Sequence, residues 1–303
     1  MFTDNTSFLG VDSKYKDPVW DGSNPDFIWL SQVVGDFQGW LEDQSCHEAT
    51  SQLTGGGAIR EAERLFSSIM DGRPSLMVPS ATSGMLIALK AVGVCPGSEV
   101  ILPAFDWGSS LATVSTLGAT PVVAPNNNGA AARHEECLTL VTDKTKAVIV
   151  SHIWQVVDAR AIRKALPAHI PVIEDCSRAF GCRMDGYLAG TLADLAVFSF
   201  GPGKEPLDVG EGGMIVARDW ELWERLVAVG AHPIRQITAG LPEENPASLS
   251  FRPHPLSAIL LVIALRRLAE FQPELSRPAT EKDARDCRPG STYDIASVIE
   301  KMG

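Results

Sequence analysis

Between residues 51 and 271, compact apolar runs alternate with longer stretches whose apolar positions recur every three to four residues. Ile59, Ala62, Leu65, Phe66 and Ile69 fall at i, i+3, i+4 spacing, which predicts a helix over Ala58–Met70. The turn Asp71-Gly72-Arg73-Pro74 closes it. Met85, Leu86, Leu89 and Val92 share one face of a second helix, Thr82–Val92. Ser110–Leu117, Ala159–Leu166, Asp219–Val229 and Leu256–Phe271 read as further helices. The apolar runs between them predict strands at Ser75–Val78, Val100–Leu102, Thr120–Ala124, Ala147–Ser151, Val172–Asp175, Leu195–Phe200 and Gly213–Ala217. Strands alternating with helices predict an α/β fold around a mostly parallel sheet.

Outside this block the pattern weakens. In the first 50 residues Phe37, Trp40 and Leu41 have helical spacing, but Gly35 and Gly39 interrupt it. From Gln272 the chain is polar and proline-containing, with a short helical end expected near Ile295. The expected organisation is an N-terminal segment at 1–50, one large domain at 51–271 and a short C-terminal remnant at 272–303.

Composition narrows the function classes. The chain has 303 residues, 45% hydrophobic and 21% charged, as in a soluble globular protein. With 26 basic and 37 acidic residues its net charge is −11, which argues against nucleic-acid binding but leaves room for one local anion pocket. The six cysteines show neither Cys-x-x-Cys nor zinc-ligand spacing, so thiols in a reducing compartment, and no metal, are expected. No basic region followed by an apolar run opens the chain, and the apolar stretch Pro255–Leu265 is too short to cross a bilayer. These features predict a cytoplasmic protein without membrane contact.

Ligands of open α/β sheets bind beyond the carboxyl ends of the strands. Thr82, Ser83, Trp107, His152, Asp175, Ser199 and Lys204 all fall at predicted strand ends. Nucleotide motifs fail there. Gly203-Lys204 lacks the earlier glycine and the following Ser/Thr of a P-loop, and Gly210-Glu211-Gly212-Gly213 is not G-x-G-x-x-G.

The segment Phe198-Ser-Phe-Gly-Pro-Gly-Lys204 followed by Gly210-Glu-Gly-Gly213 resembles the cofactor-lysine segment of the DegT-type aminotransferases, a pyridoxal-phosphate family best known for nucleotide sugars. Leu53-Thr54-Gly55-Gly56, Ser80-Ala81-Thr82-Ser83, Pro96–Val100 with Pro103–Trp107, and Val172-Ile173-Glu174-Asp175 match the same family in the same order. The resemblance implies a three-layer α/β/α architecture, the large domain of fold type I, and pyridoxal 5′-phosphate as cofactor. It implies that Lys204 forms the Schiff base and moves the proton, and that Asp175 faces the pyridine nitrogen. Thr82, Ser83 and Ser199 would hold the phosphate, and Trp107 would stack on the ring.

Competing readings stand beside these roles. Asp175 and the Thr82–Ser83 pair are also ordinary helix caps, and Trp107 could be a core aromatic. His152 reads as a structural histidine at least as readily as a catalytic one. Arg178, which replaces the family's usual His or Gln near the ring, stands among the cofactor-binding residues that the resemblance implies. It is either a carboxylate- or phosphate-binding guanidinium or a salt-bridged arginine outside the site. Cys176 and Cys182 read as buried small hydrophobes.

The resemblance also implies a homodimer with sites at the interface, where Ser250 replaces an Asn that reaches the neighbour's cofactor phosphate. Most of the family's C-terminal small domain has no counterpart in the chain. The expected reaction takes an amino group from a small-molecule donor such as glutamate to a keto sugar or another small biosynthetic ketone. Alternatives are a lyase, racemase or condensing enzyme on the same fold, or a degenerate homologue that needs a partner subunit.

Overall fold

The computed structural model describes residues 35, 36, 39, 53–125, 134–153, 156–204, 206–271, 293, 294, 299 and 300. The chain divides into two compact units, Met1–Asp43 and Gln44–Gly303. In the first, residues 35, 36 and 39 are helical; the expected Phe37–Leu41 apolar face lies outside the described residues.

At the centre of the second unit is a seven-stranded sheet. The strands are β1 (Ser75–Val78), β2 (Glu99–Leu102), β4 (Thr120–Val123), β5 (Thr145–Ser151), β6 (Val172–Asp175), β9 (Leu195–Ser199) and β10 (Gly213–Ala217), in the order β1-β10-β9-β6-β5-β2-β4. Pairing is parallel from β9 across to β4, whereas β10 runs antiparallel to both β9 and β1. The expected mostly parallel sheet is therefore present, with one reversed strand that periodicity could not reveal.

The middles of the strands are mostly apolar because both faces of the sheet are covered. On one face Leu76, Val78, Val100, Leu102, Ile149, Val197 and Ile215 pack with side chains of α2 (Ala81–Ala91), α3 (Gly108–Thr116) and α6 (Trp220–Gly230). Alternation sends Met77 of β1 to the opposite face. There its backbone N–H donates to Glu63 of α1 (Gly57–Ile69), and α1 packs against α8 (Pro255–Phe271). The α5 helix (Ala159–Ala165) follows β5. This is the three-layer α/β/α arrangement expected.

Helix boundaries differ from the periodic reading by a residue or two, for capping reasons. Ser80 is the N-cap of α2 and forms a capping box with Ser83, so the helix begins at Ala81, not Thr82. Short elements escaped the pattern altogether: α4 (His134–Thr139), α7 (Pro233–Thr238), and β3 (Phe105–Asp106), which pairs antiparallel with β11 (Tyr293–Asp294). The hairpin β7 (Arg183–Met184) to β8 (Tyr187–Leu188) turns on Asp185-Gly186, both at positive φ, the backbone that an Asp-Gly hairpin turn needs. The helical end expected near Ile295 lies outside the described residues, although residues 299 and 300 are helical.

The turn at Leu53–Gly56 has a packing role. Gly55 sits at φ +64, and a Cβ there would lie 2.2 Å from Nη1 of Arg235. Arg235 makes two 2.8 Å contacts with the buried Glu63 carboxylate. The turn thus leaves room for an ion pair that ties α7 to α1.

Candidate active site

Asp175 ends β6 and is buried. The preceding Glu174 is completely buried and accepts four hydrogen bonds, from Gly190 N, Leu192 N, Ala193 N and the His152 ring, at 2.8–2.9 Å. Successive side chains of a strand point to opposite faces, so locking Glu174 into this cage turns Asp175 toward the other side. Oδ1 of Asp175 accepts from Ser177 N at 2.9 Å. Among the described residues no hydrogen bond engages Oδ2.

His152 is likewise fully buried. Val157 N donates to its Nδ1 at 3.0 Å, so the ring proton sits on Nε2 and goes to Glu174. This is the structural histidine of the two readings. His152, Glu174 and Cys176 bring potential metal-ligand atoms within 4.8 Å of one another. Those of His152 and Glu174 are already committed to the fold. Burial and the neighbouring carboxylates hold the Cys176 thiol well above its ordinary pKa, as befits a buried small hydrophobe.

Lys204 lies on the loop between β9 and β10. Phe198 and Phe200, one on each side of Ser199, anchor that loop by packing with Phe66; Phe66 and Phe198 meet edge to face with centroids 5.0 Å apart. Backbone bonds from Lys204 N to Gly201 O, Val209 N to Phe200 O and Phe200 N to Gly212 O hold the turn. Lys204 is half-buried. Burial lowers its amine below the usual lysine range, and the charge of Arg178 lowers it further, while Asp175 opposes both.

Lys204, Asp175, Arg178 and Trp107 line one open cleft, with Asp106 and His152 in its wall. Trp107 is 49% exposed, so it is not a core aromatic. Arg178 lines the cleft and makes no ion pair or hydrogen bond among the described residues.

Asp106 was not singled out from the sequence. Its only local signal is an acidic residue beside Trp107 at a strand end. It is completely buried; Oδ1 accepts from Trp107 N at 2.8 Å, and Oδ2 has no partner among the described residues. Burial raises its carboxyl from 3.8 to about 7, and the charge of Asp175 adds to the rise. The hydroxyls of Ser110 and Ser151 moderate it, without either completing a hydrogen bond in this structure.

A second group of expected residues gathers at the start of α2. Gly213 pairs with Ser199 in the sheet, and a Cβ on it would stand 2.8 Å from Ala81 N and from the Ser80 carbonyl carbon. Ser199 and the first turn of α2 are thereby neighbours. The Ser83 hydroxyl is used within the capping box, donating to Ser80 O at 2.7 Å, while Thr82 is exposed. Gly84 N bonds Ser80 O and Ser83 N bonds Ser80 Oγ, which leaves the N–H groups of Ala81 and Thr82 for another acceptor. Ser250 does not line the cleft. It sits at φ +52 in a segment bonded to the end of α6 through Leu249 N and Phe251 N.

A three-layer sheet with a half-buried lysine, a strand-end aspartate and an aromatic in one cleft defines the class of protein. The chain belongs to the DegT/DnrJ/EryC1/StrS aminotransferase family, whose model matches residues 42–277. It is 34% identical over 183 residues to the GDP-perosamine synthase of Caulobacter vibrioides, covering 58% of this chain and 48% of that protein. It is 35% identical over 150 residues to the L-glutamine:2-deoxy-scyllo-inosose aminotransferase of Streptomyces fradiae, covering 48% and 35%. Among solved structures, 3-amino-5-hydroxybenzoic acid synthase superposes with a TM-score of 0.63 at 30% identity, over 72% of this chain and 57% of that one. DesI, solved in the presence of its TDP-sugar product, gives 0.65 at 26% identity, over 80% and 59%. The chain spans about half the length of the curated relatives it matches.

Proposed function

We propose that this chain is a pyridoxal 5′-phosphate-dependent aminotransferase, passing an amino group from glutamate or a similar donor to a keto sugar or other small biosynthetic ketone. The observation that carries the reading is the meeting of Lys204, Asp175 and Trp107 in a single cleft. Family membership, and the kinship with named sugar and cyclitol aminotransferases, support the acceptor class.

The residues suit the cofactor. Oδ2 of the buried Asp175 is available to a cationic ring nitrogen, and Gly213, having no side chain, lets β10 lie against the first turn of α2 beside Ser199. When bound, pyridoxal 5′-phosphate supplies an aldehyde that exchanges amines and a ring that draws off the electron pair left when a neighbouring C–H bond breaks. Lys204 Nζ would hold the cofactor through that aldehyde and would be the group that carries the proton. Its lowered basicity keeps a larger share of the amine unprotonated. Asp175 would hold the ring-nitrogen end of the cofactor and favour its protonated form, and Trp107 would pack on the ring. The N–H groups of Ala81 and Thr82, where the dipole of α2 favours an anion, and the hydroxyls of Thr82 and Ser199 would hold the cofactor's phosphate.

The working form is read as a cytoplasmic homodimer with sites at the interface, in which Ser250 faces the neighbour's phosphate. Cys95, Cys137, Cys176 and Cys182 are thiols, in keeping with a reducing compartment, and no helix among the described residues is long and apolar enough to cross a membrane. The test is reduction with borohydride after incubation with pyridoxal 5′-phosphate. A label on Lys204 that vanishes in Lys204→Ala is expected; a label mapping to another lysine refutes the assignment.

A further inference from the structure

Arginines in this acidic chain mostly sit against carboxylates. Arg235 pairs with Glu63, Arg163 and Arg218 both pair with Asp194, and Arg225 pairs with Glu221. Arg178 departs from the pattern. It is half-buried, shares the cleft with Lys204, and has no acid or carbonyl partner among the described residues. A guanidinium withdrawn from bulk water and left unpaired is held at a cost, which an incoming anion offsets.

The cleft holds a set of charges with distinct uses. In the aminotransferase reading Asp175 is taken by the ring nitrogen and Lys204 by the cofactor carbonyl. The phosphate would be held at the start of α2 by residues that do not line the cleft around Arg178. Arg178 then remains as the cation without an assignment. Its neighbour Lys204 marks where the donor's nitrogen must react. In an α-amino acid the carboxylate hangs on the carbon that bears that nitrogen, so a cation beside Lys204 is where that carboxylate arrives. The planar fork of a guanidinium matches a carboxylate with two parallel hydrogen bonds.

Resting on the aminotransferase reading, we infer that Arg178 is the group that recognises the α-carboxylate of the amino donor. It selects α-amino acids over simple amines and leaves the acceptor, which brings no carboxylate to this position, to be recognised by other parts of the site. The same cation serves a second end, since its charge helps keep the Lys204 amine unprotonated until the carboxylate neutralises it.

The experiment follows the absorbance of the cofactor-loaded protein in single turnovers with two donors, L-glutamate and 4-aminobutanoate, which is the same skeleton without the α-carboxylate. Wild type, Arg178→Gln and Arg178→Lys are compared. Arg178→Gln is expected to raise the half-saturating concentration of L-glutamate about 10- to 100-fold, the range of a lost charge-assisted pair, and to narrow its preference over 4-aminobutanoate by the same factor. Arg178→Lys recovers part of the loss. Independently of turnover, calorimetry with 2-oxoglutarate on the loaded protein should show the same weakening.

Equal loss for both donors overturns the inference, as does unchanged saturation by L-glutamate. Loss of cofactor affinity in Arg178→Gln, with donor saturation intact once the protein is loaded, also overturns it and assigns the guanidinium to the cofactor's phosphate. If the wild type takes up no pyridoxal 5′-phosphate at Lys204, the aminotransferase reading falls and the inference falls with it. Normal uptake with no donor discrimination by Arg178 sinks the inference alone.

Discussion

Asp106 offers a measurement that isolates one buried carboxyl. Its folded value of about 7 stands above the 3.8 of an ordinary aspartate, so the folded protein holds a proton that the unfolded chain releases between those two values. Stability therefore falls as pH rises from about 4 to about 7 and levels off beyond. A shift of roughly three units corresponds to a ceiling of about 4 kcal/mol. Asp106→Asn keeps the size of the side chain and removes the titration. In urea unfolding of the cofactor-free protein, the variant should gain on the wild type by about 2–3 kcal/mol between pH 5 and pH 8, with no further change above pH 8. Asp175→Asn, which removes the neighbouring negative charge, should shrink that gain when combined with it. A wild-type-minus-variant difference that stays flat within about 0.5 kcal/mol from pH 5 to pH 8 would show that burial does not hold this carboxyl protonated. The assignment of charges in the cleft would fail with it.

Gly213→Ala places a methyl group 2.8 Å from backbone atoms of Ser80, Ala81 and Phe198, none of which can rotate away. It should destabilise the protein by about 1–3 kcal/mol in thermal unfolding and also weaken pyridoxal 5′-phosphate uptake in a fluorescence titration. Normal uptake would separate Gly213 from the phosphate end. Arg235→Met leaves Glu63 buried with, among the described residues, only the Met77 N–H donating to it, and Glu63 is already shifted upward by burial. A loss of about 3–5 kcal/mol in urea unfolding is expected, and a loss below about 1 kcal/mol would mean the pair contributes little.

Several parts of the site were readable because they are local. The strand ends at Asp175, the turn before α2 and the glycine-rich lysine segment are each set by a few neighbouring residues. Pairings between distant segments were not readable. That Gly55 makes room for Arg235, and that Glu174 caps the loop at Gly190–Ala193, depends on residues far apart in the chain. The two-residue strands β3, β7 and β8 are too short for any period to appear, although the Asp185-Gly186 pair is a turn signal in its own right.

Periodicity alone established the alternation of strand and helix, and with it the α/β class, because burial on one helix face or both sheet faces writes itself into neighbouring residues. It placed Lys204, Asp175 and Trp107 at strand ends without bringing them together. Only the tertiary structure decided that β10 runs backwards beside β9, that Asp106 lies buried in the field of Asp175, and that Arg178 lines the cleft without a partner among the described residues. Charge, proton affinity and pairing are set by what surrounds a group in space, and the fold draws that company from segments that share no local pattern.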